Sequence, residues 1–216
     1  MYIELVFPVL GESIPIDHGY ALYSALSRVV PELHSQDNGI AVSSISGQYI
    51  GAGKKQLRRG SSLRFRLPGD AIAKVLPLSG RIISIEDAKV QLGVPRVQAL
   101  TPAANLIARI VTIKGYTESV GFLDAARIQL LGRVASGEPS VPLIEHGPHA
   151  GRTRRKVLRV RDCRVVGFSL LVTGRTYDDS LVLQRVGLGG RRKMGCGFFV
   201  PTQSDQRHIR PGKQRL

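Results

Sequence analysis

The sequence contains no tryptophan, and aromatic residues make up only 6% of the chain. Proteins that bind single-stranded nucleic acid commonly stack successive bases on aromatic side chains. So few aromatic residues argue against a base-stacking surface of that kind. Any polyanion bound by this chain is therefore expected to be held mainly by charged groups.

Cysteine is scarce too, since the chain has only Cys163 and Cys196, far apart in sequence. Two isolated cysteines exclude a disulfide scaffold, and no CxxC spacing indicates a metal site. A zinc site made by His146, His149 and one cysteine is a minor alternative, because the Gly-Pro pair between these histidines is typical of a loop. We therefore predict no bound metal and no cofactor.

Long apolar runs are missing as well. The longest, such as residues 165–172, have the length of a strand and fall far short of the roughly 18 residues that a membrane-spanning helix needs. Residues 1–4 lack the charged beginning of a secretory signal peptide. The sequence predicts a soluble protein of the reducing cytoplasm.

Acidic residues are few beside basic ones: 16 Asp and Glu stand against 31 Lys and Arg, which leaves a net charge of +15. From residue 150 to the end there are 16 basic and only 4 acidic residues. This excess says little about the fold, but it predicts a polyanionic partner, either nucleic acid or an anionic membrane surface.

The hydrophobic pattern of the first half predicts the order β-α-β-β-α-β. Leu63, Phe65 and Leu67 alternate with polar residues, as in a half-buried strand. Apolar positions four residues apart follow Asp17, a plausible N-cap, and indicate a helix with one buried face. The predicted strands are residues 2–9, 40–45, 62–67 and 81–93, and the predicted helices are residues 18–30 and 69–76.

The second half repeats this order, with predicted strands at 106–113, 156–172 (one strand or two) and 198–200, and helices at 118–135 and 177–186. The predicted fold class is α+β, with tandem ferredoxin-like (βαββαβ) domains and a C-terminal glycine-rich loop. The predicted domains are residues 1–95 and 96–201, residues 95–102 form a linker, and residues 202–216 form a basic, mobile tail.

The glycine-rich loop occupies residues 187–197, between the last predicted helix and the last predicted strand. Glycine lets a backbone approach a ligand closely, and its exposed N–H groups beside adjacent cations suit a phosphate. Because the loop follows a helix and precedes a strand, it matches neither a Rossmann fingerprint nor a P-loop. We predict phosphate contact at Gly187, Gly189, Gly190, Arg191, Arg192, Lys193 and Gly195.

Two further basic segments are candidates for contact with the backbone of a structured RNA. On a strand, Arg155, Arg159 and Arg161 would share one face. The alternative is a solvated edge strand whose charges prevent aggregation. The first segment, a predicted hairpin loop, holds Lys54, Lys55, Arg58 and Arg59, and the second, a basic arm, holds Arg152, Arg154, Arg155, Lys156, Arg159 and Arg161.

The last helix and the glycine-rich loop, taken with residues 7–9, 17–20 and 33–34, resemble the CRISPR repeat-cleaving endoribonucleases, in a myxobacterial-type variant. These enzymes process precursor guide RNA and belong to the repeat-associated, ferredoxin-like RNA-binding superfamily. The resemblance covers roughly residues 1–201. It implies metal-independent cleavage of stem-loop repeat RNA, in which the 2′-OH attacks the adjacent phosphate and leaves a 2′,3′-cyclic phosphate and a 5′-OH. It also implies that the processed guide RNA is retained with subunits of an effector complex, without a membrane partner.

The same resemblance selects the candidate catalytic residues His34, His18 and Tyr23. Histidine can take and give protons near neutral pH, as such a cleavage requires. His34 occupies the family's usual histidine position, His18 the position of other branches, and Tyr23 that of a tyrosine often paired with the histidine. Several relatives carry a lysine shortly after the histidine, and here none follows. Either Lys54 or Lys55 takes that role, or no lysine is used.

Each candidate also has an ordinary structural interpretation. His34 could be a solvated residue near a helix end, His18 could make a structural contact, and Tyr23 could simply pack in the core. For the whole chain, the alternatives to a nuclease are a non-catalytic subunit that binds structured RNA and a structural RNA-binding protein of ribosomal type.

Overall fold

The computed structural model describes residues 1–35, 38–132 and 136–202. Within those residues the chain forms fourteen strands and four α-helices. The strands are β1 (Tyr2–Leu10), β2 (Ser13–Pro15), β3 (Ala41–Val42), β4 (Gln48–Gly51), β5 (Lys54–Gln56), β6 (Ser62–Pro68), β7 (Ile82–Ile85), β8 (Ala88–Leu92), β9 (Arg96–Ala99), β10 (Leu106–Val111), β11 (Glu138–Ser140), β12 (Arg155–Val160), β13 (Cys163–Thr173) and β14 (Phe199–Pro201). The helices are α1 (Gly19–Ser27), α2 (Ile72–Val75), α3 (Ser119–Leu131) and α4 (Tyr177–Val186).

The first antiparallel sheet has the strand order β3-β6-β1-β8-β7, with β9 pairing to β1 as well. Leu63, Phe65 and Leu67 alternate along β6 and point into a core that also receives Leu22 and Leu26 of α1. A smaller sheet, β2-β5-β4, lies off this main one. The principal strands, β3-β6-β1-β8, follow the second-third-first-fourth order of a βαββαβ unit.

The second antiparallel sheet has the order β11-β13-β10-β14, and β12 pairs with β13 beside β11. Its core is separate and includes Phe122 of α3, Phe168 of β13 and Leu183 of α4. The strand order again is that of a βαββαβ unit, so the predicted α+β class with tandem ferredoxin-like units is confirmed.

The predicted linker at residues 95–102 is wrong over half of its length. Arg96–Ala99 form β9, which pairs with β1 from Ile3↔Ala99 to Val6↔Arg96. The prolines at both ends of this segment predicted a connection without regular structure. Its partner strand, β1, lies more than 80 residues earlier in the sequence, so no local pattern predicts the pairing. The first sheet thus extends past residue 95, and the division of the chain into two domains stays a prediction.

Helix α4 matches its predicted bounds, because both ends carry strong local signals. Thr176 caps the start, its hydroxyl accepting a hydrogen bond from the N–H of Asp179 at 3.2 Å. Gly187 ends the helix with φ of 59°, a conformation that glycine adopts without strain. The glycine-rich loop therefore begins at a defined point. Of the predicted tail, residues 203–216 lie outside the described residues.

Candidate active site

An open cleft of about 640 Å³ lies where the end of α1 meets the glycine-rich loop. One wall comes from the first half of the chain and the other from α4 and the loop. We call it the catalytic cleft. Its lining residues are Tyr2, Tyr23, Leu33, His34, Gly39, Ile40, Arg185, Val186, Arg191, Arg192, Lys193 and Met194.

Tyr23 and His34 form a hydrogen-bonded pair in this cleft. The Tyr23 hydroxyl lies 3.0 Å from Nδ1 of His34. The two rings meet edge to face, with centroids 5.8 Å apart. His34 is exposed, and its ring makes no other hydrogen bond among the residues that the structure describes. Nε2 is therefore the ring nitrogen that remains without a hydrogen bond among the described residues.

The local fold explains why residues from a helix and from the segment after it meet. Tyr23 is on α1, whose Leu22 and Leu26 are buried in the first core. Pro31 then begins a short 3-10 helix that ends at His34, with Leu33 fully buried. A buried neighbour on each element thus holds the exposed pair in place.

The glycine-rich loop supplies the cations of the opposite wall. Arg191 is exposed and has φ of 58°, the left-handed region that an arginine adopts at some cost. The ammonium of Lys193 donates to the carbonyl oxygen of Ser35, directly after His34. Predicted site residues from opposite ends of the chain therefore line one cleft: Tyr23 and His34 near the start, and Arg191, Arg192 and Lys193 near the end.

The glycines themselves do not form the predicted cradle of exposed N–H groups. The N–H of Gly189 donates to the Gln129 side chain, and that of Gly190 to the carbonyl oxygen of Thr112. A side chain at Gly187 would collide with the carbonyl oxygen of Gly197, and one at Gly195 with the hydroxyl of Ser44. These glycines permit close packing, and the positive charge of the loop is carried by Arg191, Arg192 and Lys193.

His18, the second predicted catalytic histidine, has no free nitrogen. It is fully buried, with Nδ1 2.8 Å from the carbonyl oxygen of Pro15 and Nε2 accepting from the N–H of Ile45 at 3.1 Å. Burial, followed by the nearby charge of Lys55, lowers its pKa to about 3. The ring is neutral at pH 7 and joins the beginning of α1 to the segment after β3. This corrects its predicted catalytic role to a structural one.

A second basic region lies between the two sheets, and we call it the intersheet groove. Its volume is about 360 Å³, and it is lined by Ser43, Ser44, Ile45, Ser46, Gly47, Lys55, Ser62, Arg64, Arg109, Gly195, Phe198 and Val200. Lys55 is buried and donates to the carbonyl oxygen of Ile45 at 2.8 Å. Burial, then Arg109 and Lys156, lower its pKa to about 8. The prediction that Lys55 lies on an exposed hairpin loop is therefore wrong. Lys55 lies on β5 and its side chain is buried in the groove.

Two arginines that line the groove, Arg109 and Arg64, were not predicted from the sequence as site residues. Burial lowers the pKa of Arg109, and its guanidinium donates to the Ser44 hydroxyl and the Ile16 carbonyl oxygen, each at 3.2 Å. Burial lowers the pKa of Lys156 as well, with Arg109 the next cause. The sequence feature that could have identified Arg109 is its position as the one charged residue in the otherwise apolar strand β10.

The remaining predicted RNA-binding residues lie outside the catalytic cleft. On the basic arm, Arg152, Arg155, Arg159 and Arg161 are exposed, whereas Arg154 forms an ion pair with Glu145 at 3.5 Å. Arg161 is in the turn after β12, not on the strand, and its Nε donates to the Tyr20 hydroxyl at 3.0 Å. In the first segment, Lys54, Arg58 and Arg59 are exposed.

Within the described part of the chain, no three His, Cys, Asp or Glu side chains are grouped so that they could hold a metal ion. His146 and His149 lie in an exposed loop. None of the four helices has the length and apolar character needed to cross a membrane.

Comparison with known proteins identifies the family of the chain. The family model described as Cas6 Crispr matches residues 3–204. The chain belongs to the Cas6 family. The CRISPR-associated endonuclease Cas6 of Myxococcus xanthus is 37% identical over 203 residues, which cover 93% of this chain and 82% of that protein. The resemblance to CRISPR repeat-cleaving endoribonucleases of myxobacterial type is thus confirmed, and with it the assignment to an endoribonuclease family.

Solved Cas6 structures share the fold. A CRISPR-associated protein Cas6 superposes with a TM-score of 0.60 at 14% identity, over 94% of this chain and 99% of that one. A RAMP protein described as binding different RNA substrates gives 0.64 at 15%, over 94% and 100%. A Cas6-related protein from Pyrococcus furiosus gives 0.62 at 17%, over 94% and 98%. At these identities the likeness concerns the tandem ferredoxin-like fold alone.

Proposed function

We propose that this Cas6 protein cleaves CRISPR precursor RNA within its repeats, in the catalytic cleft and without a metal. The observation that carries the proposal is the Tyr23–His34 pair facing the cations of the glycine-rich loop across one cleft. Such a cleft offers a proton-transferring group and positive charge to the same phosphodiester, which is what attack by a neighbouring 2′-OH requires.

In this mechanism the 2′ oxygen forms a bond to phosphorus as the bond to the 5′ oxygen breaks. A proton leaves the 2′-OH, and a proton is delivered to the departing 5′ oxygen. The products are a 2′,3′-cyclic phosphate and a 5′-OH, so atoms and charge balance without any other reactant.

In the proposed site, we assign the proton of this hydrogen bond to Nδ1 of His34 and the acceptor role to the Tyr23 oxygen. When Nδ1–H donates to the Tyr23 oxygen, Nε2 is free either to accept a proton from the 2′-OH or, in the imidazolium, to give one to the 5′ oxygen. Both roles require a proton on Nδ1. A hydroxyl acceptor 3.0 Å from Nδ1 therefore suits His34 as general base or general acid.

The positive charge that stabilises the phosphorane comes from Arg191 and Lys193. Both line the catalytic cleft, whereas Lys54 and Lys55, the lysines considered from the sequence, are not among its lining residues. Lys193 also contacts the carbonyl oxygen of Ser35. We assign to Lys193 the place that a lysine shortly after the histidine holds in relatives.

The intersheet groove and the basic arm bind the backbone of the stem-loop RNA in this proposal. Lys55 and Arg109 line the groove, and Lys156 lies close enough to interact with both. Burial and then these neighbouring positive charges disfavour the charged forms of the two lysines. A phosphate would relieve that repulsion. Retention of the processed guide, association with effector-complex subunits and a cytoplasmic location remain parts of the proposal.

The deciding experiment incubates the protein with its cognate repeat RNA in EDTA. We expect cleavage at one position, with a cyclic phosphate on the upstream product. RNA with a 2′-deoxy nucleotide at that position should bind equally well and stay intact. Tight binding of unmodified RNA without cleavage would instead support the alternative, a non-catalytic RNA-binding subunit.

A further inference from the structure

Arg66 on β6 is the largest side chain that the structure buries completely. Leu63, Phe65 and Leu67 of the same strand point into the first core, so Arg66 faces the opposite side of the sheet. In an isolated sheet that side would meet solvent. Here the second half of the chain covers it.

The guanidinium of Arg66 joins the two halves of the protein. Nη1 donates to the carbonyl oxygens of Gln184 at 2.6 Å and Phe199 at 2.9 Å. Nη2 donates to the carboxylate of Glu4, directly opposite on β1. The Phe198 ring covers the guanidinium, with its centroid 4.1 Å from Cζ.

The two carbonyl groups held by Nη1 flank the glycine-rich loop. Gln184 lies in the last turn of α4, just before Gly187, and Phe199 begins β14, just after Gly197. One nitrogen of the first sheet therefore holds both ends of the loop. The Gln184 side chain adds a hydrogen bond to the Thr101 carbonyl oxygen at 2.8 Å.

The two Nη atoms of Arg66 are buried and hydrogen bonded, whereas its Nε is buried with no hydrogen-bond partner in the described part of the chain. The carboxylate of Glu4 is 7% exposed and the Arg66 side chain 0%, so water does not compete for their contact. A guanidinium is planar, and its donors point in fixed directions toward Glu4 and the two carbonyl groups. A lysine could not make the same three bonds.

We propose that Arg66 is a positioning residue for RNA cleavage. It fixes both ends of the glycine-rich loop to the sheet that carries α1, and thereby sets the separation between the cations of the loop and the Tyr23–His34 pair. The proposal rests on the proposed function, since it assigns Arg66 a part in that same reaction without contact to the RNA.

The test compares Arg66→Met with Arg175→Met. Arg175 is also a buried arginine and donates to the carbonyl oxygens of Ser136 at 3.0 Å and Asp179 at 2.7 Å, but these lie at the opposite end of α4. Single-turnover cleavage is measured at saturating RNA, below the Tm of both variants, and the Kd is measured with 2′-deoxy RNA.

We expect Arg66→Met to cleave about 100-fold more slowly, the effect of displacing a reacting group by about 1 Å, with the Kd changed less than about threefold. Arg175→Met should lose a similar amount of Tm and cleave at about the wild-type rate. Equal rates in the two variants would overturn the proposal, and so would a rate loss in Arg66→Met that is matched by loss of affinity.

Should Arg66→Met fail to fold, two milder changes take its place. Phe198→Leu removes the ring over the guanidinium, and Glu4→Gln keeps an oxygen acceptor but removes the charge. Each is expected to slow cleavage about three- to tenfold at unchanged Kd, and wild-type rates in both would refute the positioning role.

The wild-type protein and His34→Ala are measured in the same assay as these variants. These two controls distinguish failure of the proposed function from failure of the positioning role of Arg66. No cleavage by wild type, or normal cleavage by His34→Ala, would overturn the proposed function and the role of Arg66 with it. Normal wild-type activity that is lost in His34→Ala but kept in Arg66→Met would overturn the role of Arg66 alone.

Discussion

At the scale of single residues, two histidines near opposite ends of α1 have opposite environments. His34 is exposed and bonded only through Nδ1, whereas both nitrogens of His18 are bonded within the protein. The sequence could not rank them by role, because burial of His18 depends on Ile45 and Lys55, which lie far away in the chain. Solvent access separates the imidazole to which we propose a catalytic role from the one whose nitrogens are both bonded within the protein.

The pair in the catalytic cleft gives the first prediction. His34→Ala should slow single-turnover cleavage by about 10²-fold or more, because it removes the general acid or base. Tyr23→Phe should slow it about tenfold, since the edge-to-face ring contact remains but the partner of Nδ1 is lost. His146→Ala, which changes an exposed loop histidine, is the control. Wild-type rates in both cleft variants would exclude this pair from the chemistry.

His18 predicts how stability depends on pH. Its pKa is about 3 in the folded protein against 6.5 ordinarily, so between these values the unfolded chain binds a proton that the folded protein does not. The free energy of unfolding should therefore fall as the pH drops below about 6.5, by about 2 kcal/mol at pH 5.

Denaturant titrations at pH 7 and pH 5 measure this loss. His18→Asn is expected to be less stable at pH 7 but to lose less on acidification, whereas His34→Asn should keep the wild-type difference. A pH dependence that His18→Asn leaves unchanged would assign the effect to other groups.

At the scale of elements, the predictable features are those encoded by near neighbours. Strand β6 is predictable from the alternation of its own residues, and the bounds of α4 are predictable from Thr176 and Gly187 at its ends. Neither prediction depends on the rest of the fold. The pairing of β9 with β1 and the packing of Gly189 against Thr112 connect distant segments, and no local pattern contains that information. The sequence thus located the glycine-rich loop correctly but misjudged what its glycines do.

The cations of that loop give the third prediction. Replacing Arg191, Arg192 and Lys193 together with Gln should weaken RNA binding, and should reduce the slope of log K against log salt by about 2 to 3, since each phosphate contact contributes roughly 0.7 to 0.9. Kd values at several salt concentrations provide the slope. Lys74→Gln with Lys89→Gln changes exposed cations outside both basic surfaces and should leave the slope unaltered. Equal slopes in the two multiple variants would remove the loop from the RNA interface.

At the scale of the whole molecule, the two halves meet along two basic surfaces, the catalytic cleft and the intersheet groove. Of the cations that line the groove, Arg64 pairs with Glu4 at 3.5 Å, whereas Lys55, Arg109 and the neighbouring Lys156 form no ion pair with a carboxylate in the described part of the chain. The positive charge of Lys55, Arg109 and Lys156 is therefore available to an anion that enters between the sheets. Neither half of the chain alone would form this groove, because its lining comes from both.

Lys55 makes the groove sensitive to pH. Because burial and its basic neighbours lower the pKa of Lys55 to about 8, the free protein loses this charge as the pH rises through that value. Bound phosphate favours the charged form, so RNA binding should take up a proton and weaken between pH 7 and pH 9.5. Lys55→Arg, which stays charged over this range, should show a flatter Kd profile. Identical pH profiles would mean that Lys55 does not face the RNA.

The pairing of β14 with β10 has a consequence for the time at which the enzyme becomes active during synthesis. Tyr23 and His34 leave the ribosome early, but the cations that face them are among the last described residues, and β14 pairs with β10 from Leu106↔Pro201 to Ala108↔Phe199. In a nascent chain that lacks β14, the segment that follows the cations of the loop is not yet paired with β10. Under the proposed function, the cleft is therefore complete only after β14 has been made and paired.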